Sequence, residues 1–110
     1  MYIPKKGDIV YVNFNPQSGR EQAGLRPALV MTSIKYNGIV GLALFCPITS
    51  QQKGYTFEVQ LPKNLKTKGV ILSDHVRSID WNARHVRYVE NVGETCVAEV
   101  LGRLGILLET

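Results

Sequence analysis

A chain of 110 residues, 45% hydrophobic and 20% charged, has the length and composition of one soluble globular domain spanning 1–110, with little room for a second. Its net charge of +4 is uneven, since residues 1–88 hold twelve of the thirteen Lys and Arg but only five of the nine Asp and Glu. No apolar run approaches the ~18 residues of a membrane span, and Met1-Tyr2-Ile3-Pro4-Lys5-Lys6 lacks the apolar core of a secretory signal, so a cytoplasmic protein with no membrane partner is expected. Cys46 and Cys96 each lie in an apolar stretch and read as buried, reduced thiols. With two histidines at no ligand spacing, neither a metal nor any other cofactor is expected. A basic body suits a polyanionic partner, but charge alone does not separate that from a solvated basic surface.

The first strand is predicted at 8–14, where Val10, Val12 and Phe14 alternate with Ile9, Tyr11 and Asn13 and burial is expected on both faces. Residues 15–26 read as a long polar loop, broken by Pro16, Ser18, Gly19 and Gly24. A second strand is predicted at 27–34, with Pro27 at its start, where a missing N–H is tolerated. Tyr36-Asn37-Gly38 predicts a hairpin turn, because Asn-Gly accepts positive φ. Residues 40–46 then return as a central strand, and 47–54 form a second polar loop.

Residues 55–61 alternate, Tyr55, Phe57, Val59 and Leu61 against Thr56, Glu58 and Gln60. A basic turn or short helical piece follows at 62–68, with Lys63, Lys66 and Lys68. Short strands are predicted at 69–73, 75–79 and 84–89. Only 94–108 has helical spacing, through Val97, Val100/Leu101, Leu104 and Leu107/Leu108, weakened by Gly102 and Gly105 at about 1 kcal/mol each. Many short strands with one terminal helix predict a mainly β fold, a small, partly open β-barrel with a C-terminal α-helix packed on it.

Two loops offer chemistry. In Gly19-Arg20-Glu21-Gln22-Ala23-Gly24-Leu25-Arg26-Pro27, Glu21 and Arg26 can approach across the curl; residue chemistry by itself favours a surface ion pair bracing the loop, worth ~0–1 kcal/mol. In Pro47-Ile48-Thr49-Ser50-Gln51-Gln52-Lys53-Gly54, the hydroxyls can donate to phosphate oxygens, but plain turn formation explains the same composition.

Five segments in order carry a resemblance. Gly7-Asp8-Ile9-Val10, Gly19-x-Glu21-Gln22-x-Gly24-x-Arg26-Pro27, Pro47-x-Thr49-Ser50-Gln51, Lys53-Gly54-Tyr55-x-Phe57-Glu58-Val59 and Gly69-Val70-x-Leu72-x-Asp74-x-Val76-Arg77-Ser78-Ile79 resemble the MazF/PemK/Kid family of toxin ribonucleases. Together they cover most of 7–81; the terminal helix matches in pattern only. The resemblance implies an SH3-like barrel, a homodimer and a cognate antitoxin protein whose flexible tail covers the groove. It also implies metal-independent cutting of single-stranded RNA at short sequences, leaving 2′,3′-cyclic phosphate and 5′-hydroxyl ends. It assigns Arg26 as the catalytic arginine, Thr49 as the catalytic hydroxyl and Glu21 as the loop glutamate, with Asp74 at an acidic position implicated in some members. Some members carry a basic residue two positions before that Asp; here it is Leu72, which shifts the weight toward Arg26.

RNA brings its own nucleophile, the 2′-OH, so the enzyme must align it, take its proton, stabilise the pentavalent phosphorus and protonate the leaving oxygen. The planar fork of Arg26 suits the phosphate, and Thr49 and Ser50 can donate to it. Guanidinium holds its proton far above neutral pH, so Glu21 is the easier general base, more so if partly buried. Asn13, Gln17, Gln22, Ser50, Gln51, Lys53, Asp74, Arg77 and Arg84 are the candidates for RNA contacts. His75 follows Asp74 and could line the groove, whereas His85 is expected on an exposed strand face; a useful pKa alone places neither near the phosphate. Trp81 reads as a core or dimer-interface anchor. Two other functions stay open: a toxin of similar barrel that poisons gyrase by protein contact, which would not need Glu21, Arg26 and Thr49, and an RNA-binding barrel without catalysis.

Overall fold

A computed structural model describes residues 1–16 and 18–109. The chain runs β1 (Asp8–Asn13), β2 (Leu25–Val30), α1 (Ile34–Val40), β3 (Ala43–Thr49), β4 (Glu58–Gln60), β5 (Val70–Leu72), a 3-10 turn (Ser73–His75), β6 (Arg77–Ile79), β7 (Arg87–Asn91) and α2 (Glu94–Glu109). The antiparallel sheet has the order β4-β5-β3-β2-β1-β7, and β6 also pairs with β3. Among the described residues the outer strands β4 and β7 do not pair with each other, so the sheet is not a closed barrel.

β3 organises the sheet. One edge pairs with β2; the other is divided, with β6 on Ala43, Leu44 and Phe45 and β5 on Ile48 and Thr49. The 3-10 turn bridges the two pieces. Two apolar clusters form. Ile9, Leu29, Cys46, Ile48, Val59 and Ile71 meet Cys96, Val97 and Val100 of α2. Val10, Val12, Phe14, Ala28, Val30, Ala43 and Phe45 meet Ile79 and Trp81. Each buried aliphatic side chain of this size contributes about 1.5–3 kcal/mol. Burial on both faces of β1 holds for Ile9 and Val10, while Tyr11 and Asn13 emerge to solvent. Trp81 is a core residue, its indole N–H donating to the Asn37 carbonyl at 3.0 Å. Cys46 and Cys96 are buried free thiols in the first cluster. Burial, with a smaller push from Asp74, raises the Cys46 thiol to about 12, so it is not a nucleophile at neutral pH.

The expected hairpin at Tyr36-Asn37-Gly38 is instead the middle of α1. Ser33 caps the helix, its hydroxyl accepting from the Tyr36 amide at 3.2 Å, and Gly41 closes it at φ +82°. Asn37 is fully buried: its amide donates to the Pro4 and Thr32 carbonyls and its oxygen accepts from the Thr32 hydroxyl. The neighbouring strands shift accordingly. β2 begins two residues before Pro27, which remains free of β3 because that pairing starts at Ala28. β3 runs on through Pro47 to Thr49, shortening the second polar loop, and the last strand is Arg87–Asn91, because residues 80–85 form a turn on Asp80. Among the described residues, no helix is long and apolar enough to cross a membrane.

Candidate active site

β2 and β3 bring the two principal residues together. The register pairs Ala28 with Pro47 and Leu29 with Cys46; carried two residues outward, it sets Arg26 opposite Thr49. Strand alternation puts Arg26 on the face of Ala28 and Val30, and Thr49 on the face of Phe45 and Ala43, whose side chains share the second apolar cluster. The site therefore continues the core row past its sealed end, into a cleft of about 340 Å³ that Arg26, Thr49, Ser50 and Gln51 line with Gln22 and Lys68.

Arg26 is half-buried. Its Nε donates to the Ala23 carbonyl at 3.0 Å, and among the described residues its two terminal nitrogens have no protein partner. That leaves a guanidinium fixed at its root with its outer N–H groups free for an anion. The Thr49 hydroxyl accepts from the Gln51 amide at 3.1 Å, so its own proton is available to donate. Glu58, buried at the start of β4, accepts from the amides of Lys53 at 3.0 Å and Gly54 at 2.8 Å and so fixes the far end of the loop that starts at Thr49.

The expected ion pair between Glu21 and Arg26 does not form. Glu21 is exposed rather than partly buried, and its carboxylate accepts from the Ser18 amide at 2.8 Å, closing a small turn of its own loop. It lines an adjoining hollow with Phe14, Arg20, Pro47, Asp74, His75 and Arg77. Gln22 lines both this hollow and the Arg26 cleft, so the two are one groove. A third stretch, lined by Thr49, Gln51, Lys53, Tyr55, Asp74 and His75, joins them.

Asp74 and His75 reach the groove because the 3-10 turn stands where β3 changes partners. Asp74 lies 4.0 Å from the His75 imidazole and accepts from the Tyr55 phenol at 3.4 Å. Burial and then the Asp74 charge raise the Tyr55 phenol above its usual value, keeping it a hydrogen-bond donor. His75 thus lines the groove as the sequence allowed, while His85 sits exposed in the Asp80 turn at φ +52°, not in a strand.

The other candidates divide. Gln22, Ser50, Gln51, Lys53 and Asp74 line the groove. Arg77 lines it too, but donates to the Phe14 carbonyl at 2.9 Å. Arg84 lies outside it, its guanidinium taken by the Asn13 carbonyl at 2.6 Å and the Asn15 carbonyl. Asn13 also lies outside, its side chain accepting from the Asn15 amide. Gln17 lies outside the described residues. Sequence reasoning left out Arg20, which lines the groove beside Asp74, and Lys68, whose proximity to Arg26 depends on β5 pairing with β3. Among the described residues no group of three or more His, Cys, Asp or Glu gathers as a metal site.

The family described as "PemK-like, MazF-like toxin of type II toxin-antitoxin system" matches residues 5–108. The endoribonuclease toxin MazF of Escherichia coli (strain K12) is 48% identical over 83 residues, 76% of this chain and 74% of that protein. The crystal structure of MazF from Deinococcus radiodurans superposes with a TM-score of 0.96 at 48% identity, covering 100% of both chains. A chain of the MazE–MazF structure (Form-II) from the same organism superposes at 0.86 with 44% identity, covering 98% of this chain and 97% of that one.

Proposed function

The chain belongs to the PemK-like, MazF-like toxin family of type II toxin–antitoxin systems and is an endoribonuclease toxin, and from that premise we propose that it cuts single-stranded RNA by phosphate transfer in the Arg26–Thr49 cleft. The observation that carries this reading is the cleft just beyond the last paired residues of β2 and β3, which Arg26, Thr49 and Ser50 line together. Arg26 offers its outer N–H groups to the phosphate oxygens, and Thr49 and Ser50 add hydroxyl donors. The substrate 2′-oxygen attacks phosphorus, the bond to the 5′-oxygen breaks, and the products are a 2′,3′-cyclic phosphate and a 5′-hydroxyl. The proton leaving the 2′-OH goes to Glu21, which lines the groove beside Gln22; the same carboxyl returns a proton to the 5′-oxygen. No metal ion takes part.

Gln22, Gln51, Lys53 and Asp74, which line the groove, read the flanking bases. Arg77 and Arg84 serve that purpose indirectly, by holding the carbonyls of residues 13–15 at the root of the Glu21 loop. The protein acts as a homodimer and is held inactive by an antitoxin protein. Exposed Ile39 of α1 and Leu108 of α2, 76% and 75% accessible, are surface of the kind such partners cover.

Incubation with a long RNA in EDTA, followed by analysis of the cut ends, tests the reading. Sequence-specific cuts with cyclic-phosphate ends, absent in Arg26→Ala, are expected. Binding without cutting would leave an RNA-binding barrel, and growth arrest through gyrase with RNA intact would leave a protein-directed toxin.

A further inference from the structure

The turn of residues 62–69, between β4 and β5, carries Lys63, Lys66 and Lys68, all exposed, and no acidic residue. Its backbone is fastened at two points. Gly69 packs on the main chain of Thr49, which fixes Lys68 relative to the cleft floor. Glu90 of β7 accepts from the Lys66 amide at 3.1 Å, the Thr67 amide at 2.8 Å and the Thr67 hydroxyl at 2.7 Å. With its oxygens occupied by the backbone and one hydroxyl, this carboxylate holds the turn rigid while three ammonium groups stand outside it. Three lysines against one carboxylate leave a net charge of +2.

The turn is continuous with the groove. Lys68 lines the cleft shared by Arg26, Thr49 and Ser50, and also a smaller hollow with Lys63 and Thr67. Its ammonium donates to the Lys63 carbonyl at 2.9 Å, which bends the side chain back over the turn and leaves two N–H groups for an oxygen anion.

We propose that this turn is a second phosphate-binding site, taking the backbone of the RNA strand on one side of the cut nucleotides. The proposal rests on the reading of the Arg26–Thr49 cleft as the place where RNA is cut. Ammonium groups on flexible stems are point charges without a planar fork, so the site adds affinity and leaves the choice of sequence to the groove. It engages only strands long enough to leave the cleft past Lys68. An acidic protein segment on the same turn is the competing occupant, and it would leave RNA binding unaffected by the lysines.

Cuts are first mapped on a long RNA. The same RNA is then made with a 2′-deoxynucleotide at the mapped position, which binds but lacks the nucleophile. Lys63→Gln/Lys66→Gln, which leaves Lys68 in the cleft, is expected to bind this long RNA more weakly. Its slope of log Kd against log salt concentration falls by up to about 1.4, since each phosphate contact with a single strand contributes about 0.7. The variant binds an RNA trimmed to the recognition nucleotides as the unmodified protein does, cuts the same sequence and keeps its kcat at saturating RNA. Lys5→Gln/Lys6→Gln removes the same charge from residues that do not line the cleft and leaves the slope nearly unchanged. An unchanged slope in the turn variant overturns the proposal, and so does an equal loss on long and trimmed RNA. No cutting by the unmodified protein overturns the enzymatic reading itself, and this site with it.

Discussion

Gly69 lies against the main chain of Thr49: at φ +118°, a methyl group there would stand 2.2 Å from the Thr49 carbonyl oxygen and 2.8 Å from the carbonyl carbon. No flexible side chain is available to yield, so a larger residue must displace the Thr49 strand end. Gly69→Ala is therefore expected to lower kcat for RNA on the order of 100-fold, the effect of a ~1 Å misplacement. Backbone strain adds about 1–3 kcal/mol of destabilisation. Turnover and urea unfolding measured on the same preparation separate the two. A folded variant that cuts at the unmodified rate would show that Thr49 is placed by other contacts.

Arg26 is fixed by its Nε and offers its remaining nitrogens as a fork. Arg26→Lys keeps the charge but loses the fork and the bond to Ala23. Its kcat should fall by roughly 100-fold or more, close to the loss in Arg26→Ala. Full activity with lysine would mean that a point charge suffices at this position.

Proton transfer divides Glu21 from His75, since both line the same hollow. Glu21→Gln is expected to reduce kcat by about 100- to 10,000-fold, the range for loss of a general base. His75→Gln should stay within a few-fold of the unmodified protein. Wild-type cutting in Glu21→Gln beside a large loss in His75→Gln, or beside no cutting in Arg26→Ala, sinks the assignment to the carboxylate.

The Glu90 clamp makes a pH-dependent contribution of known sign. Burial pushes the Glu90 carboxyl up, but the Thr67 hydroxyl, the Thr67 and Lys66 amides and the Lys66 charge outweigh it and hold the group below its ordinary value. A depressed carboxyl stabilises the fold above its unfolded pKa, and that stability disappears as pH falls through the folded one. The unmodified protein should thus exceed Glu90→Gln in thermal stability near neutrality by a small margin, because the side chain is partly in solvent. The margin should vanish in acid. A margin that grows on acidification contradicts the clamp.

Asn37 offers a test of the fold alone. Asn37→Ala strands the buried Pro4 carbonyl and removes the acceptor of the Thr32 hydroxyl proton, and should cost about 1–3 kcal/mol in denaturant unfolding. A cost under about 0.5 kcal/mol, the level of ordinary surface changes, would be incompatible with the buried network.

Asn37 also shows where sequence reading fails. Asn-Gly is a strong hairpin signal taken as a pair, but Ser33 and Gly41 frame it as helix cap and helix end, and the side chain is recruited by Pro4, thirty-three residues away. Periodicity served better where one face is buried along a whole element, as in β1 and α2. Arg26, Thr49 and Glu21 are candidates because five ordered segments resemble a family, whereas their separation into two halves of a groove is visible only in the structure. Arg77 and Arg84 carried the right chemistry for RNA, but chemistry does not say where a long side chain ends, and both end on backbone carbonyls. Lys68 stood in plain view in a basic run, yet only the pairing of Thr49 with Val70 brings that run to the cleft.

The two arginine clamps take hold of main-chain oxygens at residues 13–15, and the Phe14 amide is tied to the Gly24 carbonyl on the returning side. Such fastenings are indifferent to the side chains strung between them. Within the span from Pro16 to Ala23, Ser18, Arg20, Gln22 and Ala23 can be exchanged, by drift or by grafting, while Glu21 and the frame that presents Arg26 stay in place. A toxin built this way can acquire a new target sequence without relearning how to fold.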